Sequence, residues 1–259
     1  MPKRAWKSFQ SLLFLLAILC VWEAATTFFA VSPFVLPAPS MIAKRLYQLV
    51  VSGIIWPHFI ATLTSILTGL LIGVFAGLLC GSLISLVPLF ERFIYPYLVA
   101  IQTIPKVAIA PLLIVWFGYG LMSKVVITAM LSFFPMLISS IAGFKAVDRE
   151  QIEMMKAFGA TPMQTMFHLR LHAALVPIFA GLEIASILAV IGAIVGEFVG
   201  AQVGLGYLIA SLNFNLDIAG MFAVLIFLSA IGLTLHALVK LARSRFVFWI
   251  RYEAVPVVG

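Results

Sequence analysis

Residues 59–89 read FIATLTSILTGLLIGVFAGLLCGSLISLVPL, thirty-one positions without an aspartate, glutamate, lysine or arginine. A helical crossing of the hydrocarbon core needs roughly 20 apolar residues, so this stretch is long enough to span a bilayer. The rest of the chain is of the same kind. Of its 259 residues 64% are hydrophobic and 10% charged, whereas soluble domains run near half apolar and a quarter charged. There is room for six spans of about 20 residues with their loops, and a soluble enzyme or nucleic-acid-binding domain is excluded. The net charge of +7, which elsewhere points to nucleic acid, reads here as loop charge on the cytoplasmic side of a membrane protein.

Stopping each apolar stretch at charge, Pro or Gly clusters places spans at about 10–31, 59–89, 93–118, 122–144, 173–199 and 219–241. With both termini inside, Lys3, Arg4, Lys7, Arg92, Lys145, Arg149, Lys156, Arg170, Lys240, Arg243, Arg245 and Arg251 all fall in the cytoplasm, twelve of the sixteen Lys and Arg residues. Lys44, Arg45 and Lys124 fall outside and Lys106 within a span, so the positive-inside rule selects this orientation. Lys3, Arg4 and Lys7 before the run 14–21 resemble a secretory signal, but no small-x-small site follows and apolar sequence resumes after Glu23; an uncleaved first span is expected. Cys20 and Cys80 lie inside apolar runs, which leaves neither a disulfide framework nor a Cys metal site.

Three features interrupt plain spans. Pro96, Pro105 and Pro111 crowd the third, and each removes a backbone donor that lipid cannot replace, so that span is expected to be broken and covered by protein. Gly69, Gly73, Gly77 and Gly81 recur every fourth residue, as do Gly192, Gly196, Gly200 and Gly204. Faces without side chains let helices approach closely, for tight packing or for a contact that slides during transport. The third is the loop 145–172, long for a connection in a bundle. Asp148 with Gln151 forms a capping-box pattern, a helix runs to Phe158, and Gly159 supplies a left-handed stop. Thr161, Pro162 and Gln164 then start a second helix. Ile152, Met155 and Phe158 recur at helical spacing in the first, and Met163, Met166 and Phe167 in the second. Such Met-rich faces either dock a partner or pack back on the bundle.

From Glu153 through Gly159 to Leu169-Arg170-Leu171, this loop resembles the EAA loop of importer-type ABC transporter permeases, whose pattern is Glu-Ala-Ala, a later Gly and Ile-x-Leu-Pro. Met154 and Met155 replace the alanines, and His172 stands where the family usually has Pro. Leu36-Pro37-Ala38-Pro39-Ser40, Ile104-Pro105-Lys106, Ala110-Pro111-Leu112, Trp116-Phe117-Gly118 and Gly204-Leu205-Gly206-Tyr207 are similar to the nitrate, sulfonate and taurine branch, which also includes permeases for thiamine-precursor pyrimidines, riboflavin and aromatic acids. Glu183 replaces an Arg that many members carry.

The resemblance implies an all-α membrane protein of about six helices with the type I ABC importer architecture, acting as one permease domain over 1–259. It implies a permease dimer partner, two cytoplasmic ATPase subunits gripping the loop, and an extracytoplasmic solute-binding protein, all in a bacterial-type inner membrane. Glu153, Met154, Met155, Ala157, Phe158, Gly159 and Ala160 are the implied ATPase-coupling residues. The chain has no GxxxxGK[ST] loop, so ATP is expected to be hydrolysed by a separate subunit, and no catalytic residue or cofactor is assigned.

Intramembrane polar groups are the pathway candidates. Lys106 is either a pathway cation or a snorkelling or helix-capping group. Glu197 is either a gate or pathway acid or an ion-pair partner, and Gln102 is a hydrogen-bonding candidate. Glu23 and Glu183 read as packing or interfacial carboxylates. His58, His168, His172 and His236 form no metal cluster; His168 and His172 share helical spacing but read as interfacial polar residues. The alternative is an ion-coupled secondary transporter or channel running through Lys106, Glu197 and Glu23. A membrane enzyme would need a nucleophile, base or paired-acid constellation, which the spans lack.

The charge distribution predicts that a cysteine placed at position 156 in intact cells resists an impermeant thiol reagent applied from outside. Labelling there would overturn the orientation.

Overall fold

The computed structural model describes residues 2–249, and among them every regular element is helical. Arg251 lies outside the described residues, as do the side chains of Lys3, Arg4 and Lys7. In chain order the helices are α1 (Pro2–Phe28), α2 (Pro39–Val51), α3 (Ile55–Leu86), α4 (Pro88–Phe93), α5 (Tyr95–Gln102), α6 (Lys106–Phe117), α7 (Leu121–Lys145), α8 (Arg149–Ala157) and α9 (Pro162–Thr165). A π turn (Met166–Arg170) leads into α10 (Leu171–Gly200), followed by α11 (Leu205–Phe214) and α12 (Ile218–Phe246).

Five stretches are long and apolar enough to cross a membrane: Phe9–Phe28, Ile55–Leu86, Leu121–Lys145, Pro162–Gly200 and Ile218–Phe246. The expected broken span is the pair α5 and α6, bent by 96°. Prolines place the break. Pro96 sits in the first turn of α5, where a missing N–H costs nothing, and Pro105 caps α6 with extended backbone. Pro111 lies inside α6 without ending it. The fifth span starts earlier than expected, because α9 and the π turn run into α10 without a gap.

The chain divides into two compact units, the residues through Thr62 with Gln202–Ser229, and Leu63–Ala201 with those from Ala230 on. In the first, the Glu23 carboxylate accepts the backbone N–H (2.9 Å) and hydroxyl (2.6 Å) of Ser40 at the start of α2. His58 Nδ1 and Thr62 Oγ1 accept the N–H groups of Gly204 (3.1 Å) and Leu205 (2.7 Å), capping α11 from another helix. Arg45 Nε donates to Asp217 at 2.6 Å.

The second unit is built around α7. A Cβ added at Gly69, Gly73, Gly77 or Gly81 would come within 2.4–2.6 Å of Thr128, Ala129, Phe133 or Ser140 respectively. The two rows advance together, so α3 and α7 run parallel. On its other side α7 meets α10 in the reverse order: Lys124 faces Gly196, Thr128 faces Gly192, Ser139 faces Gly181 and Gly143 faces Ala174. Two membrane-crossing helices can be parallel only if the chain crosses back between them, so α5 and α6 together make one crossing. Lys145 pairs with Glu91 of α4, and this puts the ends of α3 and α7 at one level.

Two glycines differ from expectation. Gly200 meets the side chains of Ile114 and Tyr119 rather than a helix backbone. Gly204 lies beyond the end of α10 with φ +145°, so its spacing from Gly200 continues no helical face.

The backbone contacts set the expected effects. In Gly77→Val the new Cβ lies 2.6 Å from the Phe133 carbonyl oxygen, so α3 and α7 must part, at about 2–3 kcal/mol. Gly232→Ala meets nothing within 4 Å and should be neutral or slightly stabilising. Thermal midpoints of the two purified variants check the contrast; equal midpoints would remove α7 as the packing centre.

Candidate functional site

The sequence-predicted coupling residues lie on α8 and the turn that ends it. Gly159 adopts φ +75°, its N–H donates to the Lys156 carbonyl (2.9 Å), and the Ala160 N–H donates to that of Met155 (3.0 Å). These two bonds make a Schellman stop, which needs a residue free to take positive φ. The entry to α8 differs from expectation. Asp148 makes no side-chain cap; only its carbonyl accepts, from Ile152 N–H at 3.3 Å. Arg149 instead pairs with Glu153 along the exposed helix (2.9 Å), a contact of little energetic weight in water.

The second start is the expected capping box. Gln164 N–H donates to Thr161 Oγ1 (3.3 Å), and Thr161 N–H donates to Gln164 Oε1 (2.8 Å). The apolar faces divide between their two readings. Ile152, Met155 and Met166 are half-buried, and Met166 packs with Leu171 on a cluster of Met136, Phe144, Ala174 and Ile178. Met154, Phe158, Met163 and Phe167 are exposed, Phe158 by 84%. Between this loop and the end of α3 lies a cleft of about 480 Å³ lined by Leu86, Ile152, Met163, Met166, Lys156 and Arg170. The nitrogens Nδ1 of His168 and His172 lie 3.1 and 2.9 Å from the carbonyls of Gln164 and Phe167.

A second site lies at the α5–α6 break. Lys106, the first residue of α6, donates from Nζ to the Gln102 carbonyl (3.0 Å) and sits 4.4 Å from the centre of the Phe134 ring. The ammonium thus closes the carbonyl end of α5, the charge that a helix C-terminus favours. Gln102 and Lys106 open together into a cleft of about 460 Å³, walled by Phe134, Ile138, Ile184 and Leu188 with Ser139.

Glu197 does not line that cleft. It is 1% exposed near the end of α10, next to Gly196, which faces Lys124 of α7, itself 6% exposed. Lys124, expected among the outer loop charges, lies instead in the first turn of α7, facing Gly196. Its position at a span edge carried no sign of burial, because burial depends on the helix opposite. Glu183 pairs with Arg243 of α12 at 3.1 Å.

The family model described as "Binding-protein-dependent transport system inner membrane component" matches residues 69–247. The riboflavin transport system permease protein RibX of Chloroflexus aurantiacus is 38% identical, over 91% of this chain and 88% of its own. The formylaminopyrimidine transport permease protein ThiX of Halalkalibacterium halodurans is 36% identical, over 95% and 98%. The taurine transport system permease protein TauC of Escherichia coli is 29% identical, over 85% and 84%. A chain of the MetNI methionine ABC transporter, solved in inward-facing conformations, has the same fold at TM-score 0.57 and 24% identity, covering 79% of this chain and 97% of that one. The chain therefore belongs to the family of binding-protein-dependent transport system inner membrane components, as a multi-pass inner-membrane permease subunit of an ABC importer. The ion-coupled secondary transporter or channel is set aside.

Proposed function

We propose that the chain acts as one permease domain over 1–259, pairs with a second copy, and passes a solute delivered by an extracytoplasmic binding protein. Two cytoplasmic ATPase subunits grip the 145–172 loop, hydrolyse the ATP that this chain has no phosphate loop to bind, and drive alternating access. The observation that carries the reading is the α8 turn, where Met154 and Phe158 are held exposed on a segment fixed by the Gly159 stop and the Thr161 box. Exposed apolar side chains on a rigid frame fit a partner groove. Glu153, Met154, Met155, Ala157, Phe158, Gly159 and Ala160 form this contact. Arg92, Lys145, Arg149, Lys156 and Arg170 all belong to α4, the end of α7 and the loop, a clustering that supports a cytoplasmic position for the loop and both termini.

The pathway runs past the cleft at the α5–α6 break, where Gln102 and Lys106 face the solute, with Glu197 of α10 and Lys124 of α7 acting farther along. The solute is a flat nitrogen heterocycle of flavin or pyrimidine type. The relatives named for riboflavin and formylaminopyrimidine are 38% and 36% identical, against 29% for the one named for taurine. A wall of Phe134, Ile138, Ile184 and Leu188 suits a planar ring, and Gln102 and Lys106 supply the few polar groups that orient it.

Gly159→Val forces a β-branched residue to positive φ, a strain of about 1–2 kcal/mol, while among the described residues nothing beyond its chain neighbours lies within 4 Å of the new Cβ. The variant should insert and dimerise normally, yet co-purify with the ATPase subunit at roughly a tenth of the wild-type yield or less. Phe158→Ala, which leaves the turn intact, should weaken association in the same assay; wild-type yields for both would reduce the loop to a connector. For the pathway, Lys106→Met keeps the length and removes the charge. Uptake of labelled solute in membranes should fall at least tenfold, with the transporter still assembled, and unchanged uptake would leave Lys106 as a helix cap alone.

A further inference from the structure

Between α10 and α12, separate from the cleft beneath the loop and from the one at the helix break, lies a third of about 400 Å³. His236, Lys240, Arg243 and Ser244 line it from α12, at helical spacings of four, seven and eight that form one stripe, with Val247 just past the helix end; Val176 and Glu183 face them from α10. Phe179 stacks on Phe246 (6.1 Å) and His172 meets Trp249 (5.3 Å), so the cleft lies where these two helices come together at the start of α10 and the end of α12.

Its chemistry is that of an oxyanion site. Glu183 is the acid among the lining residues, and it is neutralised by Arg243 at 3.1 Å. Lys240 adds a cation that makes no ion pair among the described residues. Deeper by one turn, His236 Nδ1 is buried and has no hydrogen-bond partner among the described residues. A buried ring nitrogen is ordinarily satisfied; this one is not, so the ring gives up no bond when it turns to present a nitrogen to the cleft. A cation and a ring donor one helical turn apart, beside a hydroxyl, are the complement of a phosphate with several acceptor oxygens. The depth fits as well. The apolar run of α12 gives way to Lys240, Arg243 and Arg245, which is the level of lipid headgroups on that side of the membrane. Basic pockets between membrane helices at this level take anionic headgroups.

We propose that this cleft binds a phosphate group, held by Lys240 and His236 and supplied by the headgroup of an anionic phospholipid in the leaflet on the same side as the 145–172 loop. Lipid seated there ties α10 to α12 at their shared end. The phosphate chemistry is common to a lipid headgroup and to free phosphate, so the test must separate the two.

The full transporter is reconstituted in nanodiscs of phosphatidylcholine with increasing phosphatidylglycerol, and lipid retained by the extracted complex is counted by native mass spectrometry. Wild type is expected to retain phosphatidylglycerol at low mole fraction. Lys240→Met and His236→Leu should each need more than about tenfold more, since loss of one surface cation alone accounts for only about fivefold. Arg245→Met, on the same helix but outside the cleft, is the control for surface charge, and Lys240→Arg should restore binding. If millimolar inorganic phosphate displaces the lipid and itself binds in phosphatidylcholine alone with the same dependence on Lys240 and His236, the site takes phosphate from either source. Equal retention by wild type, Lys240→Met and His236→Leu, or a loss in Arg245→Met as large as that in Lys240→Met, would overturn the proposal.

Discussion

The fold depends on the approach of two helices to the backbone of α7. In lipid the hydrophobic effect does not draw helices together, because the acyl chains are as apolar as leucine; close van der Waals contact must do so. Gly69, Gly73, Gly77 and Gly81 bring α3 against one side of α7, and Gly181, Gly192 and Gly196 bring α10 against the other. The polar residues of α7 fit this arrangement. Thr128, Ser132 and Ser140 each donate their hydroxyl to the carbonyl four residues back (2.8, 2.9 and 2.7 Å), so they present small, internally satisfied surfaces to their neighbours. Any side chain added along these rows meets main-chain atoms, which cannot swing aside. The parallel course of α3 and α7 follows from that contact, and with it the requirement that α5 and α6 return the chain across the membrane.

That return is made through a right-angled break, and non-helical backbone at bilayer depth must find its own partners. It does so locally. Thr103 and Ile104 N–H groups donate to the carbonyls of Ala100 and Ile101 (both 3.2 Å), the Thr103 hydroxyl also donates to Ala100 (2.7 Å), and Lys106 Nζ takes the Gln102 carbonyl. Pro105 has no N–H to satisfy. Lys106 therefore stabilises the break by the same placement that opens it to the cleft, and its structural and pathway readings are not exclusive.

The sequence carried much of this arrangement because membrane helices leave strong periodic signals. Six crossings, a proline-broken third span, a glycine face on α3, the Gly159 stop and the Thr161 box follow from residue types at fixed spacings, which need no knowledge of what lies across the space between helices. What stayed hidden depends on a second element. Lys124 stands at a span edge, and only the helical phase of α7 turns it inward towards Gly196 and Glu197. Gly204 keeps the spacing of a ridge that ends with α10 at Gly200, while its N–H is taken by His58 from elsewhere in the chain. Asp148 has the residue type and spacing of a cap, yet makes no side-chain bond there. The start of the short helix α11 likewise carries no local signal, since its first N–H groups are met by His58 and Thr62 rather than by a neighbouring Ser, Thr or Asp.

The join between the loop and the bundle bears on how force from the ATPases reaches the pathway. A flexible connection would dissipate a displacement of α8, but the described chain offers none on that side: the Schellman turn leads within two residues into the capping box, and α9 passes through the π turn into α10 without a gap. Met166 and Leu171, at the two ends of that turn, pack on Phe144, Ala174 and Ile178, so a push on the loop loads α7 and α10 together. Along the row of Gly181, Gly192 and Gly196, α7 and α10 meet without interlocking side chains, and main-chain contact that forbids separation still permits a shear, with larger side chains such as Ile127 and Leu188 repacking beside it. On the proposed docking, the motion most readily passed inward is therefore a slide of α10 along α7, which shifts Ile184 and Leu188 relative to Phe134 across the cleft that Gln102 and Lys106 share.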